Sequence, residues 1–347
     1  MAKTKHKRLR VLLYIVATLV VIALALGWYI RSTVFKPLEV SETAYIYITP
    51  STTYEEVLEQ IKEKVDLPSE KIFEIISERM NYANNIKTGR YAITNGMTVP
   101  EMMRMLRAGN QSPVKLTFNN MRTKEDLSGR MSEQLMLDSM TLLSALSDEA
   151  RVESLGFDTN TVAAMFIPNT YEVYWNTNIE NLLTRMQKEY NTFWNESRKA
   201  KAKAIGLSPI EVSTLASIVE EEATYSDEYP IVAGLYLNRL KRGQRLEADP
   251  TVKFAVGDFS LRRILYKHLE IESPYNTYRN DGLPPGPIRM PSIKGIDATL
   301  SPAKHNYLFM VAKDDLSGRH NFSTTHAEHI RNARKYQRAL NEKKIYK

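Results

Sequence analysis

Three consecutive carboxylates, Glu220, Glu221 and Glu222, close an apolar stretch that reads ASIVEEEATYSDEYP from Ala216. Like charges side by side repel, and the C-terminal end of a helix already carries partial negative charge. Such a run is either a solvated surface turn or a place where one carboxyl is kept for proton transfer. Position on the helix helps to choose. Val212, Leu215, Ile218 and Val219 recur at helical spacing and mark the buried face. The next position on that face is 222. Glu221 falls on the opposite side, where substitution is expected to be nearly silent, and Glu220 on the flank. A carboxyl in line with an apolar stripe is partly desolvated and has carboxylate neighbours, and both effects favour its protonated form. That is the environment a general acid needs near neutral pH. The competing reading is that the helix frays at 222 and the glutamate reaches water.

The elements that position this residue have clear boundaries. Ser208 reads as an N-cap, Pro209 occupies the first helical position and Glu211 completes a capping box. A second helix, PIVAGLYLNRLKRG, starts after Ser226 and ends at Gly243. In the following QRLEADPTV, Asp249-Pro250 favours a turn that fixes Asp249 and Thr251 as hydrogen-bonding groups. SPYNTYRNDGLPPGPIRMPS, Ser273 to Ser292, is a long Pro/Gly-rich loop, and such loops inside a compact domain are usually functional. His326 and His329 flank Glu328, but Thr325 and Glu328 read as a capping box for the last helix. With no cysteine in the 347 residues and no third clear ligand, neither a metal nor another cofactor is expected.

Composition places these elements outside the cytoplasm. Hydrophobic residues make up 43% and charged residues 25%, enough apolar material for a real core and about two domains. Net charge is +7, but Lys3, Lys5, Lys7, Arg8 and Arg10 supply most of it, so the body of the chain is not a nucleic-acid binder. Val11 to Ile30 then runs for 20 residues without a charge. As a helix it covers roughly 30 Å, the thickness of the hydrocarbon layer. Positive charge before it puts the N-terminus in the cytoplasm. Ala23-Leu24-Ala25 would suit a cleaved signal peptide, but the apolar run continues past it, so an uncleaved single-pass anchor is expected.

After a linker at 32–44, YIYITP alternates like a strand. STTYEEVLEQIKEKV opens a helix that Ser51 or Thr52 can cap, with Val57, Leu58 and Ile61 inward. A second helix places Ile72, Phe73, Ile75 and Ile76 inward. A turn at Gly89, a short strand, a turn at Asn95-Gly96 and a helix ending at Gly109 follow. A second unit begins near PVKLTF and is mostly helical over 121–205, with a break at 165–178. The expected class is α+β.

Several long motifs, ASIVEEEA, NRLKRGQRLEADPTV, SPYNTYRNDGLPPGPI and SPAKHNYLFMVA…GRHNFS, occur in an order that resembles the bacterial endolytic murein transglycosylases. The resemblance covers nearly the whole chain. It implies a basic cytoplasmic tail at 1–10, an inner-membrane anchor at 11–31, a small LysM-like domain at 45–115 and a catalytic domain at 116–347 outside the cytoplasm. It implies cleavage of the β-1,4 bond between N-acetylmuramic acid and N-acetylglucosamine in nascent peptidoglycan, with closure of a 1,6-anhydro ring. On this likeness the catalytic acid/base falls on Glu222, with Glu220 as runner-up. The substrate-lining candidates are Asn238, Arg239, Asp249, Thr251, Tyr275, Asn276, Thr277 and Tyr278. The expected partners are glycan strands, the membrane and peptidoglycan synthases, with no nucleic acid. A two-carboxylate muramidase pairing Glu222 with Asp249 or Glu247 and a membrane-anchored glycan-binding scaffold are the alternatives.

Overall fold

A computed structural model describes residues 2–119, 121–261, 263–343 and 345. The basic side chains Lys3, Lys5 and Arg8, read above as part of a cytoplasmic tail, lie outside the described side chains. The chain begins with a single helix, α1 (Ala2–Val34), which is apolar and unburied over residues 10–34 and has the length of a membrane span. It extends into the stretch expected to be linker. The rest divides into two compact units, each with its own core.

The first unit comprises β1 (Ala44–Ile48), α2 (Tyr54–Lys64), α3 (Glu70–Arg79), β2 (Gly89–Ile93) and α4 (Val99–Ala108), in the expected order. β1 and β2 pair antiparallel, with Ile46 opposite Tyr91. Ile46, Ile48, Val57, Ile61, Phe73, Tyr91 and Leu106 form its core. Local details differ from expectation for clear reasons. Thr53, not Ser51 or Thr52, caps α2, because Glu56 closes a reciprocal box with it while Thr52 turns back to Thr49. Ile75 faces out at 52% exposure, and Ser77 takes the inward place one helical turn beyond Phe73. Gly89 starts β2 in extended backbone instead of making a turn. Gly96 does turn, with φ +85°, and Gly109 ends α4 with φ +78°. The short segment Glu172–Asn176 also belongs to this unit, where Trp175 meets Tyr47 edge-on and Asn176 donates to the Thr88 carbonyl.

The second unit is mainly helical. It holds the ends of β3 (Val114–Phe118) and β4 (Asn169–Val173), which pair with each other, and then α5 (Lys124–Ser132), α6 (Ser139–Ser147), α7 (Glu149–Ser154), α8 (Ile179–Phe193) and α9 (Glu196–Ile205). At its centre runs α10 (Pro209–Glu222), begun by the Ser208–Glu211 capping box with Pro209 in the first turn. α11 (Tyr229–Lys241), α12 (Asp249–Val256) and α14 (Ile293–Thr299) pack around it, with the short α13 (Tyr266–Leu269) beside α12. A hairpin of β5 (Phe309–Ala312) and β6 (His320–Ser323) and the final helix α15 (His326–Glu342) complete it. Asp249-Pro250 opens α12 and does not form a free-standing turn, because proline suits a first helical turn as well as it suits a turn. The His326 and His329 rings pack on Phe309. Thr325 caps α15, but the Glu328 carboxylate accepts from Thr324 N, so the reciprocal box is incomplete.

The apolar stripe of α10 turns out to be wider than its spacing suggested. Every residue from Val212 to Val219 is buried, the small polar ones included. Ser217 shows how. Its hydroxyl donates to the Thr214 carbonyl and accepts from Ile288 N, so the hydroxyl is fully used without water. A helix buried on all sides has no solvent face for its last residues to occupy.

A candidate active site at the end of helix α10

The three glutamates at the end of α10 therefore meet three different environments. Glu220, 5% exposed, accepts from the backbone N of Ser292 at 3.1 Å and from its hydroxyl, with Arg289 3.7 Å away. Ser292 is the N-cap of α14, so this carboxylate faces the positive end of that helix. Gly295 makes the approach possible, since a Cβ there would run into the Glu220 carboxylate. Glu221 is 14% exposed and lies between Arg289 at 2.7 Å and Arg122 at 2.9 Å. The side of α10 opposite the apolar stripe is therefore packed and not a free solvent face.

Among the described residues, no cation pairs with Glu222 at this range. Its Oε1 accepts a 2.8 Å hydrogen bond from the Tyr236 hydroxyl on α11. It keeps part of its surface open to a cavity of about 250 Å³ that Tyr236, Arg239, Glu247, Asp249, Tyr278 and His320 also line. Glu221, Glu222 and Asp249 all line a wider cavity of about 760 Å³. Burial pushes the Glu222 carboxyl up to about 7. The Tyr236 hydrogen bond opposes that rise, Asp249 adds to it, Arg239 opposes it and Glu221 adds. Burial holds the Tyr236 phenol well above its ordinary value, so it remains a donor. One oxygen of Glu222 is thus fixed and the group can hold or release a proton near neutral pH.

The expected lining residues separate into two sets. Arg239, Asp249 and Tyr278 reach the cavity. Arg239 is 9% exposed, with Nε on the Leu308 carbonyl at 2.7 Å and Nη1 on Glu247 at 3.0 Å. Glu247 reaches it from left-handed backbone with φ +49°. Asp249 accepts from the Tyr278 hydroxyl at 2.6 Å, and burial first, then this bond, raises the Tyr278 phenol. The others are used within the protein. Asn238 bonds the His305 and Tyr307 carbonyls. Thr251 and Thr277 are buried and bond each other at 2.8 Å. Asn276 is buried on the Leu269 and Ile271 carbonyls. Tyr275 packs on Phe254. Thr277 on Thr251 and Tyr275 on Phe254 fix the 270–280 chain against α12, and Asn276 braces that chain internally, which together hold Tyr278 at Asp249.

Two polar residues of the smaller cavity escaped the sequence reading. Tyr236 stands three residues before Arg239 and so shares its helix face, a spacing that could have flagged it. His320 lies in the quoted GRHNFS, but nothing in its own stretch pairs it with Glu228.

The chain is similar to known proteins over most of its length. A family model described as the YceG-like family matches residues 46–335. A Bacillus subtilis (strain 168) protein named endolytic murein transglycosylase is 29% identical over 317 residues, 87% of this chain and 87% of that protein. A protein of the same name from Streptococcus pneumoniae serotype 2 is 27% identical over 296 residues, 75% of this chain and 52% of that protein. Among solved structures, a yceG-like protein of Listeria monocytogenes aligns with a TM-score of 0.55 and 26% identity, over 84% of this chain and 99% of the other.

Proposed function

This chain belongs to the YceG-like family, and from that premise we propose that it is an endolytic peptidoglycan lytic transglycosylase with Glu222 as its general acid and base. The observation that carries the assignment of Glu222 is its contrast with its neighbours. Glu220 and Glu221 are committed to Ser292, Arg289 and Arg122, and Glu221 reaches only the wider cavity, whereas Glu222 lines both cavities with its carboxyl raised to about 7.

In this reading the glycan lies in the cavity with a β-1,4 bond between N-acetylmuramic acid and N-acetylglucosamine beside Glu222. The protonated carboxyl gives its proton to the leaving oxygen. The resulting carboxylate takes the proton of the muramic acid C6 hydroxyl, whose oxygen attacks C1 and closes the 1,6-anhydro ring. Protons balance, and no water is consumed. Tyr236 holds one oxygen of Glu222 so that the other points to the reacting bond, and the nearby Asp249 helps to keep Glu222 protonated before the reaction. An ordinary glycosidase uses a carboxylate pair, one of which activates water or attacks C1. Glu222 with Asp249 would be that pair in a muramidase.

The helix α1 fits a single-pass anchor. We place its N-terminus in the cytoplasm and the two units outside it. The first unit is proposed as a LysM-like module that helps to hold polymer, and cleavage as an event that ends growing strands beside the synthases. Mass spectrometry of muropeptides released by the full-length protein in detergent tests the reaction. Anhydro-muramic ends are expected, and reducing ends would instead establish the muramidase.

A further inference from the structure

His320 lines the same cavity as Glu222, and the reaction above gives it no task. Its ring is held from behind. Nδ1 lies 3.0 Å from Oε2 of Glu228, and the His320 backbone N donates to Oε1 of the same carboxylate at 3.0 Å. Glu228 is nearly sealed, its side chain 6% exposed, just before the first turn of α11. Arg319, paired with Asp227, adds positive charge nearby. A carboxylate only accepts, so Nδ1 carries the ring proton, and in the neutral ring Nε2 is left as an acceptor. Among the described residues Nε2 has no hydrogen-bond partner, and it is not among the buried polar atoms that lack one. The side chain as a whole is 14% exposed. One ring nitrogen is thus clamped inside the protein while the other remains accessible on a residue of the cavity wall. Orienting a histidine through its rear nitrogen is a general way to aim the front one.

We propose that His320, clamped by Glu228, is a substrate-positioning contact that accepts a hydrogen bond at Nε2 from a hydroxyl of the sugar ring bound against Glu222. This rests on the reading of the site as one that cleaves glycan. The competing role is structural, a tie between β6 and the start of α11 with the ring beside Phe322.

Two substitutions separate the roles. His320→Asn keeps a donor near the Nδ1 position, and hence the tie to Glu228, but removes Nε2. His320→Gln places an amide oxygen near Nε2 but gives up the tie. The full-length protein in detergent is assayed on sacculi, with Tm followed in parallel. Calorimetric binding of chitotetraose is measured in the Glu222→Gln background, where turnover does not interfere. A positioning contact predicts that His320→Asn keeps its Tm yet loses roughly tenfold in kcat/KM and in chitotetraose affinity, the scale of one hydrogen bond. It also predicts that His320→Gln is the more active of the two despite a lower Tm. His320→Asn within about threefold of wild type in both readouts would overturn the proposal. So would losses that simply follow Tm across both variants. Should the wild type release no anhydro ends, the reaction assigned above fails, while the binding arm still decides the role of His320.

Discussion

Arg289 lies 2.7 Å from Glu221 and pins the residue next to Glu222 inside the protein. Arg122 holds the other oxygen of Glu221 at 2.9 Å, over the ring of Phe259. A carboxylate that looked like part of a solvated run is a half-buried structural hub. The charge of its neighbour Glu220 is likewise neutralised at the start of α14. The run EEE therefore carries much less mutual repulsion than its formal charge suggests.

Glu221→Gln is expected to destabilise the folded protein by about 1–3 kcal/mol, because it leaves the largely buried Arg289 and the partly exposed Arg122 without a full counter-charge. Chemical denaturation of the full-length protein in detergent measures this. A variant as stable as the wild type would mean that Glu221 is not the hub described.

Glu222→Gln should fold and lose about 10²-fold or more in release of anhydro-muropeptides, the scale of general acid–base catalysis. Its stability should also change with pH in a defined direction. The Glu222 carboxyl titrates near 7 in the folded protein against an ordinary value of 4.5. Between those values the folded protein holds a proton that the unfolded chain has lost, so wild-type stability falls as pH rises across the window. The glutamine variant escapes that loss. It should be the more stable protein at about pH 8, by up to about 2–3 kcal/mol, and should match the wild type at about pH 4. Equal stability at both pH values would show that the carboxyl is not shielded.

Tyr236→Phe and Asp249→Asn should move the alkaline limb of the activity profile in opposite directions. The Tyr236 hydroxyl stabilises the ionised form of Glu222, so its removal raises the Glu222 pKa above about 7 and shifts the limb to higher pH. Asp249 disfavours the ionised form, so its amide lowers that pKa and shifts the limb to lower pH. Profiles of kcat/KM on sacculi read both. Shifts of the same sign would mean that some other group controls the limb.

Topology can be tested without the chemistry. A reporter that works only outside the cytoplasm should be active when fused after residue 347 and inactive when fused before residue 2. The reverse pattern would place the cavity on the wrong side of the membrane for a cell-wall substrate.

Much of this architecture could be read from local sequence. Val11 to Ile30 is apolar and long enough to mark a candidate span, and Ser208-Pro209 with Glu211 marks the start of α10 because capping involves residues only three apart. The paired strands and three helices of the first unit follow from periodicity and turn residues in the same way. Glu222 could be singled out from spacing on one face. Spacing from Arg239 could flag Tyr236 as a residue of the same helix face, but not as the partner of Glu222, since Tyr236 reaches it by the packing of α11 on α10. The environment of Glu221 depends on Arg122 and Arg289, 99 and 68 residues away along the chain. His320 depends on Glu228, 92 residues away. The sequence by itself determined where a helix as clearly capped as α10 begins, which stretch can cross a membrane and which run of carboxylates deserved scrutiny, because those properties are set within a turn or two of chain. Only the tertiary structure decided which carboxylate is neutralised, which is shielded and which faces a cavity, because a charge responds to whatever lies within a few ångströms of it, and folding draws those neighbours from distant parts of the chain.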